Sequence, residues 1–128
     1  MHTQKQLAHQ KRAFTLIEVL VVVLILGILS YFALPSYITS VLSSRQGIAN
    51  SNARMLATNV QARGVSLNSY NTSLAYYATD MGGNIPVNPC TGNSTGYTIS
   101  ATAISATIVA STGTNCGTWT PITYTLTL

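Results

Sequence analysis

The stretch that decides the fold of this chain reads Arg12-Ala13-Phe14-Thr15-Leu16-Ile17-Glu18-Val19-Leu20. It opens an apolar run of 21 residues from Phe14 to Leu34, which is long enough to cross a bilayer as a helix. One carboxylate, Glu18, lies inside this run, and an ionised acid in a membrane-length segment is costly. We therefore predict a membrane-inserted helix in which Glu18 has a specific partner.

The positive charge of the chain is concentrated before this helix. Three of the six basic residues lie within the first thirteen positions, and the remaining three arginines and two acids leave a net charge of +1. A basic segment before an apolar run marks the cytoplasmic end of a membrane helix. The stretch Ser30 to Leu34 has bulky residues where an ordinary secretory cleavage site needs small ones, so we predict that the helix is retained in the membrane. With its basic end in the cytoplasm, the residues after the helix would lie outside the cytoplasm.

The residues after the apolar run predict a small domain of class α+β. Pro35 should kink or interrupt the helix. We then expect an amphipathic helix over 36–66, an irregular loop over 67–96 and a β-sheet over 97–128. The helix carries an apolar stripe with recurring pairs seven residues apart, formed by Ile38, Val41, Leu42, Ile48, Ala49, Met55, Leu56 and Val60.

The end of the chain has the alternating pattern of a strand. From Ile122 to Leu128 apolar residues alternate with threonine, and strand-like segments begin at Tyr97 and Ala103. Several short strands joined by turns predict an antiparallel sheet with one face on the core. The helix stripe is the expected partner of that face.

Cys90 and Cys116 are the only cysteines. In an exported domain they are expected to form one structural disulfide. It would close a loop of about 27 residues and stabilise the domain by about 3–4 kcal/mol in the chain-entropy model. A metal site is not expected, because both histidines, His2 and His9, lie in the basic N-terminal segment.

The chain lacks the residues that catalysis needs. After Phe14 there is no histidine and no lysine, and the only acids are Glu18 and Asp80. A general acid–base pair needs two titratable groups at one place, and a hydroxyl nucleophile needs an adjacent base. No glycine-rich phosphate loop is present. We expect neither an enzyme nor a cofactor.

Glu18 requires a cation, and no basic side chain lies within two turns on its C-terminal side. Cleavage of the chain just before Phe14 would create an α-amino group four residues away, about 6 Å along a helix. That amine could pair with Glu18 of its own chain or of a neighbouring chain. In the second arrangement, the ion pair would join neighbouring subunits in register, so Glu18 would direct assembly.

The three later arginines offer a different hypothesis. Arg45, Arg54 and Arg63 are spaced by nine, which places Arg45 and Arg63 on one face of a straight helix and Arg54 on the opposite face. Solvation or pairing with a polar partner on a neighbouring subunit explains them. DNA binding is the sharper alternative, and the alternating faces argue against it.

The N-terminal stretch resembles the signature of class III prepilin-like proteins, which comprise type IV pilins, competence pilins and type II secretion pseudopilins. The match covers roughly residues 11–37 and combines a basic leader with Phe14, Glu18 and Pro35 at fixed offsets. It implies a type IV pilin-like α+β fold, with a long N-terminal helix packed on a small antiparallel sheet. The family usually has glycine before the cleavage site, whereas this chain has Ala13.

The resemblance implies how the chain is processed and assembled. A prepilin peptidase would remove leader residues 1–13 by cutting between Ala13 and Phe14, and Phe14 would be N-methylated. The helix over 14–35 would sit in bacterial inner-membrane lipid until the pilus assembly machinery adds the subunit to a helical homopolymer. Glu18 would then face the Phe14 amine of an adjacent subunit in an extracellular filament.

Two alternatives stay open at this stage. A minor pilin or pseudopilin would prime a competence or secretion system, but major pseudopilins typically carry an acidic calcium site, and no acid follows Asp80 here. A bitopic protein that anchors a small binding domain would leave Glu18 unexplained.

Overall fold

A computed structural model of the protein describes residues 14–128. By its internal contacts the chain divides into two compact units, the first ending at Tyr37 and the second covering Ile38–Leu128. Two short 3-10 turns, Thr79–Met81 and Thr114–Cys116, interrupt the loops. The regular elements are helix α1 (Leu16–Leu67), helix α2 (Leu74–Ala78) and strands β1 (Tyr97–Ala101), β2 (Ser105–Ala110) and β3 (Thr123–Thr127).

In the first unit, α1 presents its apolar side chains outward. Every large apolar side chain described between Phe14 and Tyr37 is at least 45% exposed. This part of α1 is long and apolar enough to cross a membrane. Such a surface is stable when lipid or other protein covers it, because water-exposed apolar area of this extent is unfavourable.

Pro35 does not break the helix. The helical backbone runs from Leu16 through Pro35 to Leu67, so the interruption offered as one outcome for Pro35 does not occur. An internal proline costs about 3 kcal/mol, which a long helix with many other backbone hydrogen bonds can absorb. The kink at Pro35 stays a prediction.

In the second unit, the buried face of α1 is narrower than the predicted stripe. Leu56 and Val60 are fully buried, whereas Ile48 and Met55 lie on the exposed side. Adjacent residues are separated by about 100° around a helix, so only the second member of the pairs 48/49 and 55/56 faces the core, whereas Val41 and Leu42 are both half-buried. Small residues complete the buried face: Ala49, Ala53, Ala57 and Gly64.

The sheet has the predicted antiparallel form, with the strand order β1-β2-β3. Ile99 lies opposite Ile108, and Ile108 lies opposite Tyr124, so one row of apolar side chains crosses all three strands. These side chains share one hydrophobic core with the buried face of α1. The β3 strand is also tied to the helix, because the Tyr124 hydroxyl donates to the Asn50 carbonyl at 3.1 Å.

The end of α1 is built around Gly64 and Tyr70. Asn68 has a positive φ of 53°, and the Ser69 amide donates to the Gly64 carbonyl at 3.1 Å, which closes the last turn. The predicted irregular segment follows and contains α2, which places Tyr77 in the core. Burial raises the pKa of the Tyr77 phenol, an effect opposed by the hydrogen bond that the phenol oxygen accepts from the Asn71 backbone amide.

Candidate assembly site

Helix α1 begins with a side-chain cap next to the acid. The Glu18 amide donates to Thr15 Oγ1 at 3.3 Å and to the Thr15 carbonyl at 3.1 Å. Thr15 is thus the N-cap, and Glu18 is the third residue of the helix, the spacing of a capping box. Sequence reasoning missed the role of Thr15, although the Thr-x-x-Glu spacing carries that signal. The cap sets the start of the helix two residues after Phe14.

Phe14, two residues before the start of α1, and Glu18, in its first turn, are both exposed. Together with Val19 and Val22 they line an open hollow of about 280 Å³. Apart from Glu18, the residues that line it are apolar. An ammonium group placed in this hollow would meet one carboxylate surrounded by apolar side chains.

The position of Glu18 suits a negative charge. It lies in the first turn of α1, where the helix dipole favours an anion. In water an ammonium–carboxylate pair contributes little, but the pair strengthens when apolar neighbours exclude water. The arrangement can therefore hold a cation at the end of an apolar helix. Any packing of helices that buried Glu18 without a cation would be unfavourable.

The structure does not describe the predicted cleavage site on the N-terminal side of Phe14. Ala13 and the leader 1–13 lie outside the described residues, so cleavage between Ala13 and Phe14 stays a prediction. Phe14 is the first described residue, and its N-methylation also stays a prediction.

The disulfide forms between Cys90 and Cys116 with a Cα–Cα distance of 4.9 Å. Both sulfur-bearing residues are fully buried. The loop at Cys116 is also held to α1, because Arg45 Nη1 donates to the Asn115 carbonyl and Gln46 Nε2 donates to the Cys116 carbonyl, each at 2.9 Å. The predicted disulfide is confirmed, and these contacts fix it to the helix.

Asn88 is a buried polar residue that sequence reasoning missed. Its side-chain amide donates to the Gly96 carbonyl at 2.6 Å and to the Ser111 carbonyl at 3.0 Å, and its Oδ1 accepts from the Cys90 amide at 2.9 Å. It therefore joins the segment before β1, the segment after β2 and the disulfide. An asparagine in a turn-rich loop gives no signal of this role, because its bond to the Cys90 amide is an ordinary local turn contact and its bond to Ser111 spans 23 residues.

Arg63 has partners within its own chain. Its Nε lies 2.9 Å from Asp80 Oδ2, and its guanidinium lies 5.1 Å from the centre of the Tyr76 ring. Arg45 is exposed but is also bonded within the chain, through Asn115, and Arg54 is exposed. Two of the three arginines thus have roles in folding, which weakens the case for a DNA-binding surface.

Within residues 14–128 no group of three or more histidine, cysteine or acidic side chains is placed to hold a metal ion.

Comparison with known proteins identifies a family model that matches the N-terminal segment and a relative that matches most of the chain. A family model described as the prokaryotic N-terminal methylation motif matches residues 8–32. The type IV major pilin protein PilA of Myxococcus xanthus (strain DK1622) is 35% identical over 94 residues, which are 73% of this chain and 39% of that protein. The chain thus spans about two fifths of the length of this curated relative. No solved structure matches the chain.

Proposed function

Because this chain belongs to the family of type IV pilins and prepilin-like proteins, we propose that it is a structural subunit of a type IV pilus or a related filament. One observation carries the proposal: Glu18 and exposed Phe14 line one hollow at the start of the exposed apolar part of α1. A helix of this kind needs a cover along its whole length and a cation at one end. Other copies of the same helix supply both.

The proposed life of the subunit has two stages. In the first, the apolar part of α1 is held in the bacterial inner membrane and the second unit lies outside the cytoplasm. The prepilin peptidase then cuts between Ala13 and Phe14, and the new Phe14 amine is methylated. In the second stage the assembly machinery moves the subunit into a surface filament, where lipid contacts are exchanged for contacts with neighbouring helices.

Glu18 guides the second stage. The amine of the incoming subunit approaches Glu18 of a subunit already in the filament, and the apolar surround excludes water from the pair. A subunit in the wrong register leaves both charges unpaired, which costs several kcal/mol in a low-dielectric site. Adhesion, twitching motility and DNA uptake are functions that such a filament would support through its exposed head.

The test is a set of Glu18 variants of the full-length chain in a host that assembles its filaments. Glu18→Ala should leave the membrane level of the subunit unchanged and reduce the yield of sheared surface filaments by at least tenfold. Glu18→Asp keeps the charge and should retain part of the assembly. Mass spectrometry of wild-type filaments should find an N-terminus at methylated Phe14.

Two results would contradict the proposal. Filaments whose subunits begin at Met1 would show that no cleavage creates the amine. If neither the wild-type strain nor the Glu18→Ala strain formed filaments, and both had the same activity at the cell surface, the chain would instead be a bitopic anchor for a small binding domain.

A further inference from the structure

Three exposed aromatic side chains lie together at the C-terminal end of the apolar part of α1. Tyr31, Phe32 and Tyr37 are 77%, 71% and 68% exposed and fall within seven consecutive residues. The preceding residues 19–29 contain no aromatic and no polar side chain. We name the three residues the aromatic belt. The surface of the first unit therefore changes from aliphatic to aromatic at one level along the helix axis.

The aromatic belt surrounds the helix. The backbone is helical at all three positions. Tyr31 and Phe32 are separated by about 100° around the axis, Phe32 and Tyr37 by about 140°, and Tyr37 and Tyr31 by about 120°. A helix that packs on one protein partner has its apolar side chains on one stripe. Three exposed rings spread around the axis instead indicate a medium that covers the helix on every side.

The chemistry of the belt indicates which medium this is. A tyrosine has an apolar ring and a polar hydroxyl, and such side chains are enriched where lipid tails meet headgroups, because one end is apolar and the other is wet. The six-residue step from Tyr31 to Tyr37 covers about 9 Å of axis, close to the roughly 5–8 Å of headgroup region on each side of a bilayer. The belt thus fits a headgroup layer in shape, thickness and polarity.

The length of the apolar helix places the other boundary of the bilayer. The middle of the belt lies at Leu34, and Phe14 is about 30 Å away along the axis, which is the thickness of a hydrocarbon core. Lys11 and Arg12 precede Phe14 in the sequence and mark the cytoplasmic side. The belt therefore belongs at the headgroup layer on the opposite, outer side.

We propose that the aromatic belt binds the outer headgroup layer of a lipid bilayer and thereby sets the depth of the unassembled subunit in the membrane. Glu18 lies about 24 Å from Leu34 along the axis, which leaves about 6 Å to the cytoplasmic edge of the hydrocarbon core. The carboxylate is thus held inside the hydrocarbon, where a missing cation is costly. This inference rests on the membrane stage of the proposed function and does not require a filament.

Tryptophan fluorescence in lipid vesicles measures this depth. The full-length chain with Trp119→Phe, which removes its single tryptophan, receives Tyr31→Trp, Tyr37→Trp or Leu24→Trp and is placed in phosphatidylcholine vesicles without any other protein. Bromine near the headgroup end of the lipid tails should quench the first two probes at least twofold more than bromine near the tail ends. Leu24→Trp is the matched control and should show the reverse order, because Leu24 lies about 15 Å below Leu34.

A variant without the belt tests whether the belt sets the depth. Tyr31→Leu, Phe32→Leu and Tyr37→Leu together keep an apolar exterior, and the Leu24→Trp probe in this chain should lose at least half of its preference for quenching by deep bromine. The matched control changes three aliphatic residues instead: Leu26→Ile, Ile28→Leu and Leu29→Ile. This control should keep the full preference.

Cysteine labelling measures the same depth in chains that retain Trp119. Thr39→Cys and Gly27→Cys each add one free thiol, because Cys90 and Cys116 are joined in the disulfide. A membrane-impermeant maleimide added to the vesicles should label Thr39→Cys at least tenfold more than Gly27→Cys. The reason is that Thr39 lies about 8 Å above Leu34 and Gly27 about 11 Å below it.

The outcomes separate this inference from the proposed function. A chain that is not retained in the vesicles would contradict both the membrane stage and the belt. If the chain is retained but headgroup bromine does not preferentially quench the probes at positions 31 and 37, the belt inference is wrong while the membrane stage stands. The same holds if the variant without the belt behaves like its matched control, or if the two thiols are labelled equally.

Discussion

Gly64 and Gly47 are two glycines of the same helix in opposite surroundings. A Cβ atom on Gly64 would overlap the ring of Tyr70, whereas a Cβ on Gly47 would meet nothing within 4 Å. The Tyr70 hydroxyl also donates to Gln61 Oε1 at 2.7 Å, so the ring is fixed over the helix and cannot move aside freely. Gly64 is thus required by packing, and Gly47 is not required by the fold of the subunit.

This contrast predicts opposite changes in stability. Gly64→Ala should lower the free energy of unfolding by about 1–3 kcal/mol, the usual cost of overpacking. Gly47→Ala should raise it by about 0.4–1 kcal/mol, because alanine restricts the unfolded chain and favours the helix. Denaturant titration of the full chain in detergent, followed by the fluorescence of Trp119, its single tryptophan, measures both. Equal effects of the two changes would contradict the role of Tyr70.

At the scale of the elements, the ends of β1 and β2 are held by a side chain rather than by the sheet alone. Asn88 bonds to Gly96 just before β1 and to Ser111 just after β2, and no water reaches it because it is fully buried. Removal of its side-chain amide would take this partner from the Ser111 carbonyl and the Cys90 amide, whereas the Gly96 carbonyl would keep the bond that it accepts from the Ser111 amide. Buried polar groups without partners are expensive, so the loop and the sheet depend on this one residue.

Asn88→Ala should therefore lower the free energy of unfolding by at least about 2 kcal/mol. Asn93→Ala is the control, because Asn93 lies in the same loop but is exposed and its side chain accepts only from the Thr91 and Thr95 hydroxyls. Its effect should stay within about 0.5 kcal/mol. The same titration in detergent compares the two variants. A similar small loss in both would show that the Asn88 bonds contribute little.

At the scale of the whole molecule, a covalent link closes the second unit across its sheet. The disulfide joins residues 26 positions apart, and β1 and β2 lie between them. Arg45 and Gln46 attach the same loop to α1, so the link constrains helix, loop and sheet together.

The double substitution Cys90→Ala with Cys116→Ala should cost about 3–4 kcal/mol of unfolding free energy, since the unfolded chain gains the freedom of the open loop. Reductant should lower the melting temperature of the wild-type chain in detergent and leave that of the double variant unchanged. A wild-type melting temperature that is insensitive to complete reduction would contradict the prediction.

Much of this architecture follows from local patterns in the sequence. The apolar run with its single acid and the three strands are visible because hydrophobic periodicity records secondary structure directly. The disulfide was predictable because two cysteines allow one pairing. The position of Glu18 near the helix start was also clear from the sequence, although its cap by Thr15 was overlooked.

What only the tertiary structure decided concerns contacts between residues far apart in the chain. A seven-residue repeat cannot say which member of a pair such as Met55 and Leu56 is buried, because that depends on where the sheet lies. The contacts of Asn88 with Ser111, of Arg45 with Asn115 and of Arg63 with Asp80 likewise follow from the path of the loops, since local spacing does not encode them. The sequence by itself determined the membrane-length helix and its acid, because composition and periodicity are local properties, whereas tertiary packing decided which side chains of the second unit are buried and which are exposed.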